Sequence, residues 1–455
     1  MNPAFARQMQ ALLGPEAAAF WAGMDAPRWR ALRLNPLKKG ALELTLPWAT
    51  RPVPWEPYGR VLLEEDARPG RSLLHHAGAF YLQEPSAMAP AGALAARPGE
   101  RILDLCAAPG GKTGQLAAAM GGRGLLLAND PAPARAKELC RNLERLCVPH
   151  AVVTCALPGQ LAPYLEGYFD GILVDAPCSG EGMMRRDETA RAQWSPELVA
   201  QCAARQREVL GAAARMLRPG GRMVYSTCTF NRQENEGQIE AFLAEHPEFS
   251  LEALPELPGV DRGVGLPEAW RLWPHHLEGE GHFVCKLVKA GPVPAGRAEP
   301  DRRWSADERG GSDRRRDAGE RGGVLAQARR WVETFVPDLA GALVQQGEAV
   351  RLTPEGPQLG RLPVLMRGLL VGAAQGRQLR PAHHLALAAS AGPVIPLSEE
   401  QAMAYWRGEE LPAPAGAPEG FAPASFQGLT LGWVKHAGGR LKNHLPKGLR
   451  RVGGA

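Results

Sequence analysis

The chain has 455 residues, 45% of them hydrophobic and 22% charged, with a formal net charge of +5. That length exceeds what one ordinary core serves, so two to four domains of a soluble globular protein are expected. No apolar run approaches the roughly 18 residues that span a bilayer, which excludes a transmembrane helix, and the amino terminus lacks the basic-then-apolar order of a secretory signal.

In chain order, residues 3–24 read as helical, RALRLNPLKKG (31–40 with its preceding Arg30) as strand-like, and 52–57 as a proline-punctuated connection. From about Leu73 to Lys289 short apolar strands alternate with amphipathic helices. RILDLC, GLLLAND, GILVDAP and GRMVYSTCT are the strands; GKTGQLAAAM, ARAKELCRNLERL and ELVAQCAARQREVLGAAARML are the helices. This alternation predicts a parallel sheet with helices on both faces. Residues 290–323 are rich in Pro, Gly, Arg and Asp and predict a flexible linker. Residues 324–455 return to globular composition and end in VKHAGGRLKNHLPKGLRRVGGA, with six Lys/Arg and no acid. The resulting organisation is 1–72, 73–289, linker, and 324–455.

The eight cysteines include no CxxC pair and no Cys/His cluster, so neither a metal site nor a disulfide framework is expected; reduced thiols in a cytoplasm fit better. Two of them matter. Cys178 follows the strand GILV, with Asp175 and Pro177, and Cys228 follows MVYS with Thr227. In open α/β sheets ligands lie outside the carboxyl ends of strands, so both thiols are expected at one crevice. LDLCAAPGGKT (103–113) adds a strand, a glycine turn at Gly110 and Gly111, and a helix whose free N–H groups face the same side. It is neither a P-loop nor GxGxxG. Asp130 closes the next strand, where an acid accepts hydrogen bonds from ribose hydroxyls or caps the helix that follows. Together these features indicate an adenosine-containing cofactor.

Two thiols, an acid and such a cofactor suit carbon methylation of a pyrimidine. A thiolate added to carbon 6 makes carbon 5 nucleophilic, which splits one hard step into easier ones. Asp175 would hydrogen-bond or protonate N3 as charge develops. The residues alone leave open which cysteine attacks.

LDLCAAPGGKT, DAPCSGEG (175–182) and YSTCTFNRQENE (225–236) resemble the three diagnostic stretches of the RNA cytosine-5 methyltransferases, the NOL1/NOP2/Sun-like family. RALRLNPLK and YLQEPSAM (81–88) resemble its N-terminal segment and pre-catalytic motif. LMRGLLVG, LSEEQAMAYWRGEEL and LGWVKHAGGRLKNHLPKGLRR resemble the C-terminal portion of the bacterial RsmF branch, whose extra module is PUA-like and whose substrate is 16S ribosomal RNA.

The resemblance implies a Rossmann-like α/β methyltransferase sheet with a small α+β N-terminal segment and a C-terminal PUA-like module. It implies S-adenosylmethionine as cofactor, held by Cys106, Ala107, Ala108, Pro109, Gly110, Gly111 and Lys112, with Asp130 and Asp175, and with Arg135 beside the adenosine. It makes Cys228 the nucleophile and Cys178 the group that assists adduct breakdown. One departure stands out: after the fourth strand the chain reads VVTCALPGQL, without the acid or amide usual beside the adenine. The partner implied is 16S ribosomal RNA, gripped by RWRALRLNPLKK and the basic tail, for a monomer without metal. A non-catalytic RNA-binding assembly factor is the alternative, and the intact Gly110, Gly111, Asp130, Asp175 and Cys228 speak against it.

Overall fold

The computed structural model describes residues 2–292 and 323–451. Nearly all of the stretch expected to be a linker therefore lies outside the described residues, as does the end of the basic tail.

The N-terminal helical stretch is two helices, Pro3–Leu13 and Ala17–Asp25, joined by a 3₁₀ turn at Gly14–Glu16. Gly14 and Pro15 cause the break, since Pro15 has no N–H to continue the ladder and Gly14 takes φ 54°. Phe5, Met9, Phe20 and Met24 pack on Trp194, Phe230 and Trp273. An antiparallel sheet follows, in the order β2 (Thr50–Val53), β3 (Glu56–Leu62), β1 (Ala31–Leu34), β4 (Phe80–Leu82). Its last strand lies past residue 72.

The central sheet holds β5 (Arg101–Asp104), β6 (Leu125–Asn129), β7 (Ala151–Thr154), β8 (Phe169–Asp175) and β9 (Leu217–Thr227), paired in parallel in the order β7-β6-β5-β8-β9. Beyond β10 (Phe249–Leu251), the strands β11 (Asp261–Gly263), β12 (Leu266–Leu272) and β13 (His282–Lys289) extend it antiparallel past β9. Ile102, Leu103, Leu126, Leu127, Val152, Val153, Ile172 and Leu173 are all buried, because helices cover both faces. The order reverses at β5, whose neighbours are β6 and β8, and the crevice at such a reversal is where ligands bind.

The C-terminal part is tied into this frame. Val364–Arg367 pairs antiparallel with β7 and covers that edge of the central sheet. A four-stranded sheet (from Ala342 to Pro381) and a five-stranded sheet (from Ile395 to Asn443) complete the fold. Leu32, Leu34 and Phe80 of the N-terminal sheet share one buried cluster with Ile395, Leu429 and Leu431.

This packing corrects one expectation. Arg33 and Lys38 do not hold phosphates, because both are buried. Lys38 Nζ donates to the Leu387 and Thr430 carbonyls at 2.6 and 2.9 Å, stitching the N-terminal segment to the C-terminal module. Arg33 is used inside the cofactor loop described next. Arg28 and Lys39 of the same run are exposed.

Candidate active site

The loop from Leu105 to Gly110 joins β5 to the helix Gly111–Ala119. Its Ala107 N–H donates to the Asn129 carbonyl (2.8 Å), and Ala108–Pro109 is a cis peptide. Gly110 sits at φ 110°, a left-handed conformation, and a Cβ there would meet Leu139 at 3.0 Å. Arg33 Nη2 donates to the Gly111 carbonyl at 2.8 Å, so a buried guanidinium fixes the turn from behind. Thr113 Oγ1 donates to Asp104 Oδ2 (2.7 Å), whereas Asp104 Oδ1 is buried without a partner among the described residues. Burial pushes the Asp104 carboxyl up to about 7. Cys106 lies in the loop with its thiol pushed up by burial beside Asp104 and Asp175, so it does not serve as a thiolate.

Asp130 stands at the end of β6. Its Oδ1 accepts the Ala132 N–H at 3.0 Å, at the start of the helix Pro133–Arg145, and its Oδ2 lies 3.3 Å from Arg135 Nη2. Arg135 also donates to the Ala108 carbonyl (2.8 Å), which ties the acid to the cofactor loop. In the stretch without an acid, Cys155 stands beside Asp130, its thiol 3.7 Å from the Pro131 carbonyl.

The two predicted cysteines come together. Cys178 and Cys228 place their sulfurs 3.3 Å apart, beyond the ends of β8 and β9. The hydrogen bond to Cys228 and burial hold the Cys178 thiol well above its ordinary value, so it stays protonated. Asp175 closes β8, with Lys112 Nζ 2.8 Å from its Oδ2 and Ser226 Oγ donating to its Oδ1 at 2.8 Å. Burial opposes ionisation of Asp175, but the Lys112 charge and these hydrogen bonds outweigh it and keep the carboxylate below its usual range. Lys112 is held charged in return, chiefly by Asp175 against burial, with Cys228 and Glu84 adding to its field.

Four groups at this site escaped the sequence reading. His282 begins β13 with its Nδ1 3.5 Å from Glu84 Oε1, and burial together with Lys112 lowers it to about 4, so it is neutral. Glu84, within YLQEPSAM, accepts the N–H groups of Ser86 (2.9 Å), Ala87 (2.6 Å) and Glu280 (3.1 Å). Glu181 and Glu234 sit three and six residues past the two cysteines. Glu234 accepts the Ser179 N–H at 2.9 Å, the Ser179 hydroxyl at 2.5 Å and the Gln206 amide at 2.8 Å. Glu181 accepts the N–H groups of Phe230 (2.6 Å) and Asn231 (2.9 Å), the Trp194 indole (3.0 Å) and Gln8 of the first helix (3.1 Å). Each carboxylate thus belongs to one cysteine's loop and grips the other's. The only sequence signal was their place inside motifs read for their cysteines.

Known proteins resemble this chain along nearly its whole length. A family described as 16S rRNA methyltransferase RsmB/F matches residues 91–288, the N-terminal domain of 16S rRNA methyltransferase RsmF matches 1–85, and the methyltransferase RsmF PUA domain matches 393–451. Ribosomal RNA small subunit methyltransferase F from Erwinia tasmaniensis is 33% identical over 99% of this chain and 97% of its own. Its counterpart from Cronobacter sakazakii is 36% identical over 95% and 92%. A methyltransferase homolog from Pyrococcus horikoshii, solved by crystallography, is 31% identical with a TM-score of 0.57, covering 64% of this chain and 95% of that one. The crystal structure of NSun6 from Pyrococcus horikoshii with SFG has the same TM-score at 21% identity, a likeness of fold. The chain belongs to the 16S rRNA methyltransferase family of ribosomal RNA small subunit methyltransferase F.

Proposed function

We propose that this protein methylates carbon 5 of specific cytosines in 16S ribosomal RNA, with S-adenosylmethionine as methyl donor and Cys228 as nucleophile. The observation that carries the reading is the pair of sulfurs 3.3 Å apart beside the Lys112–Asp175 ion pair, at the carboxyl ends of adjacent parallel strands.

The crevice suits the cofactor. The unpartnered oxygen of Asp104, the acids Asp130 and Asp175, and the amino-terminal N–H groups of the helix Gly111–Ala119 are the acceptors and donors that an adenosyl amino acid needs. Cys106 to Lys112, with Arg135, would line it. S-adenosylmethionine, when bound, supplies an electrophilic methyl group.

The chain's own residues do the rest. The Cys228 thiolate adds to carbon 6 of the cytosine, and the displaced electron pair enriches carbon 5. Lys112 would stand toward the ring as a charged donor, and Asp175, held ionised, orients Lys112 and would accept from the base rather than protonate N3. Once carbon 5 is methylated, its proton must go. A water molecule positioned by Cys178, adjacent to the adduct sulfur, takes that proton; the electron pair re-forms the ring double bond and expels Cys228 as thiolate.

A stacked cytosine cannot reach a sulfur in this crevice, so the target base turns out of its helix. Exposed Lys435, Arg440, Lys442 and Lys447 of the C-terminal module would hold backbone phosphates and set position without reading bases. Bisulfite sequencing of 16S RNA from cells lacking the protein tests the proposal. Specific cytosines should lose protection and regain it with the wild-type gene; an unchanged map refutes it.

A further inference from the structure

Away from the crevice, the fold joins two segments remote in sequence. Glu16 ends the 3₁₀ turn between the N-terminal helices, and His275 and His276 lie in the connection between β12 and β13. A carboxylate oxygen of Glu16 and one ring nitrogen of each histidine all lie within 4.8 Å of one another. Glu16 Oε2 is 3.6 Å from His275 Nε2 and 3.8 Å from His276 Nε2. Those separations are too long for hydrogen bonds. They approach the spacing of about 3.3 Å between ligands that share one tetrahedral ion with bonds near 2.0–2.1 Å.

Two further features point to an ion. The His275 side chain is only 3% exposed, yet neither ring nitrogen has a hydrogen-bond partner among the described residues. A buried imidazole without partners is uncommon and costly. His276, for its part, has Nδ1 2.5 Å from Asp261 Oδ2. A proton on Nδ1 shared with that carboxylate leaves the Nε2 lone pair facing Glu16, and a carboxylate behind a histidine is the usual outer support of a metal-bound imidazole.

We propose that Glu16, His275 and His276, supported by Asp261, bind one divalent transition-metal ion, zinc by donor type, which fastens the N-terminal helices to the β12–β13 connection. One Glu and two His with a fourth position open to solvent is a common zinc donor set. The helix Ala17–Asp25 already packs on this connection, since a Cβ on Gly23 would meet the Pro274 carbonyl at 2.9 Å. The same connection leads into Glu280 and His282, so the ion would brace the wall of the active site from outside. Motif reading missed this site because it looked for cysteine-based patterns, and the fold alone unites Glu16 with the two histidines.

The eight cysteines could also take zinc, so the test uses Co²⁺ titrated into the metal-free full-length protein. Ligation by N and O donors produces visible d–d absorption, whereas thiolate ligation adds intense near-ultraviolet charge transfer. One equivalent should bind without the charge-transfer band and be displaced by Zn²⁺. Zinc should raise Tm by about 5 °C. Glu16→Gln and His276→Asn should each weaken binding at least tenfold and abolish the Tm shift, with circular dichroism unchanged. Absence of a saturable cysteine-independent equivalent in the wild type overturns the proposal, and so does equal binding by folded Glu16→Gln and His276→Asn.

Discussion

Asn231 donates its side-chain amide to Glu234 Oε1 at 2.7 Å, and Glu234 in turn holds the backbone N–H and hydroxyl of Ser179, the residue after Cys178. The same amide lies 3.1 Å from Glu181 Oε1. Two buried carboxylates bridged by one amide therefore set the spacing of the two sulfurs. Glu234→Gln swaps an acceptor oxygen for a second donor set against Ser179. Methylation should fall about 10–100-fold through misplacement of the thiols. Affinity for S-adenosylmethionine, measured by calorimetry, should change little, because Glu234 belongs to the thiol loops; a loss confined to cofactor binding would contradict this role.

Lys112 is the charge that keeps Asp175 ionised inside the site. In Lys112→Met burial is no longer offset, so the Asp175 carboxyl rises. If its ionised form is the working one, activity is lost as pH falls through that raised value. The acid limb of the pH–rate profile should then move to higher pH, along with a lower maximum. A profile scaled down without displacement would show that Asp175 does not titrate in the reaction.

Much of this was legible beforehand. Strands β5, β6 and β8 and the second half of β9, from Met223, are buried on both faces and so read as short apolar runs, and the residues at their carboxyl ends could be placed in one crevice from topology alone. What stayed hidden depends on long-range packing. Nothing local in LPVLMRG says that Val364–Arg367 pairs with β7, and nothing in RLNPLKK distinguishes a buried Arg33 or Lys38 from a phosphate-binding surface cation. Likewise Glu181 and Glu234 look like surface acids until the fold buries them against backbone N–H groups.

The C-terminal part covers both the β7 edge and the apolar face around Leu32, Leu34 and Phe80. A protein ending at residue 292 would expose an unpaired strand edge and an apolar surface together. It should aggregate on size-exclusion chromatography, whereas the full-length chain elutes as a discrete species. A soluble monomeric truncation would refute the integral role assigned to this module.

Asp104 offers a pH test of stability. Its carboxyl, about 7 folded against 3.8 in the unfolded chain, favours the unfolded state increasingly as pH rises between those values. The destabilisation is complete above pH 7 and amounts to at most about 4 kcal/mol. In the ligand-free protein, Asp104→Asn should therefore gain stability relative to wild type on going from pH 5 to pH 8. Denaturant melts giving a pH-independent difference would place the ionisation elsewhere.

The central claim is that Cys228 bonds to the base and Cys178 helps release it. Incubation of each cysteine variant with 16S RNA and S-adenosylmethionine, followed by a denaturing gel, tests it most directly. Cys178→Ala should leave a retarded protein–RNA band, while Cys228→Ala and the double variant leave none and methylate nothing. A stable band from Cys228→Ala, with none from Cys178→Ala, would contradict the assignment.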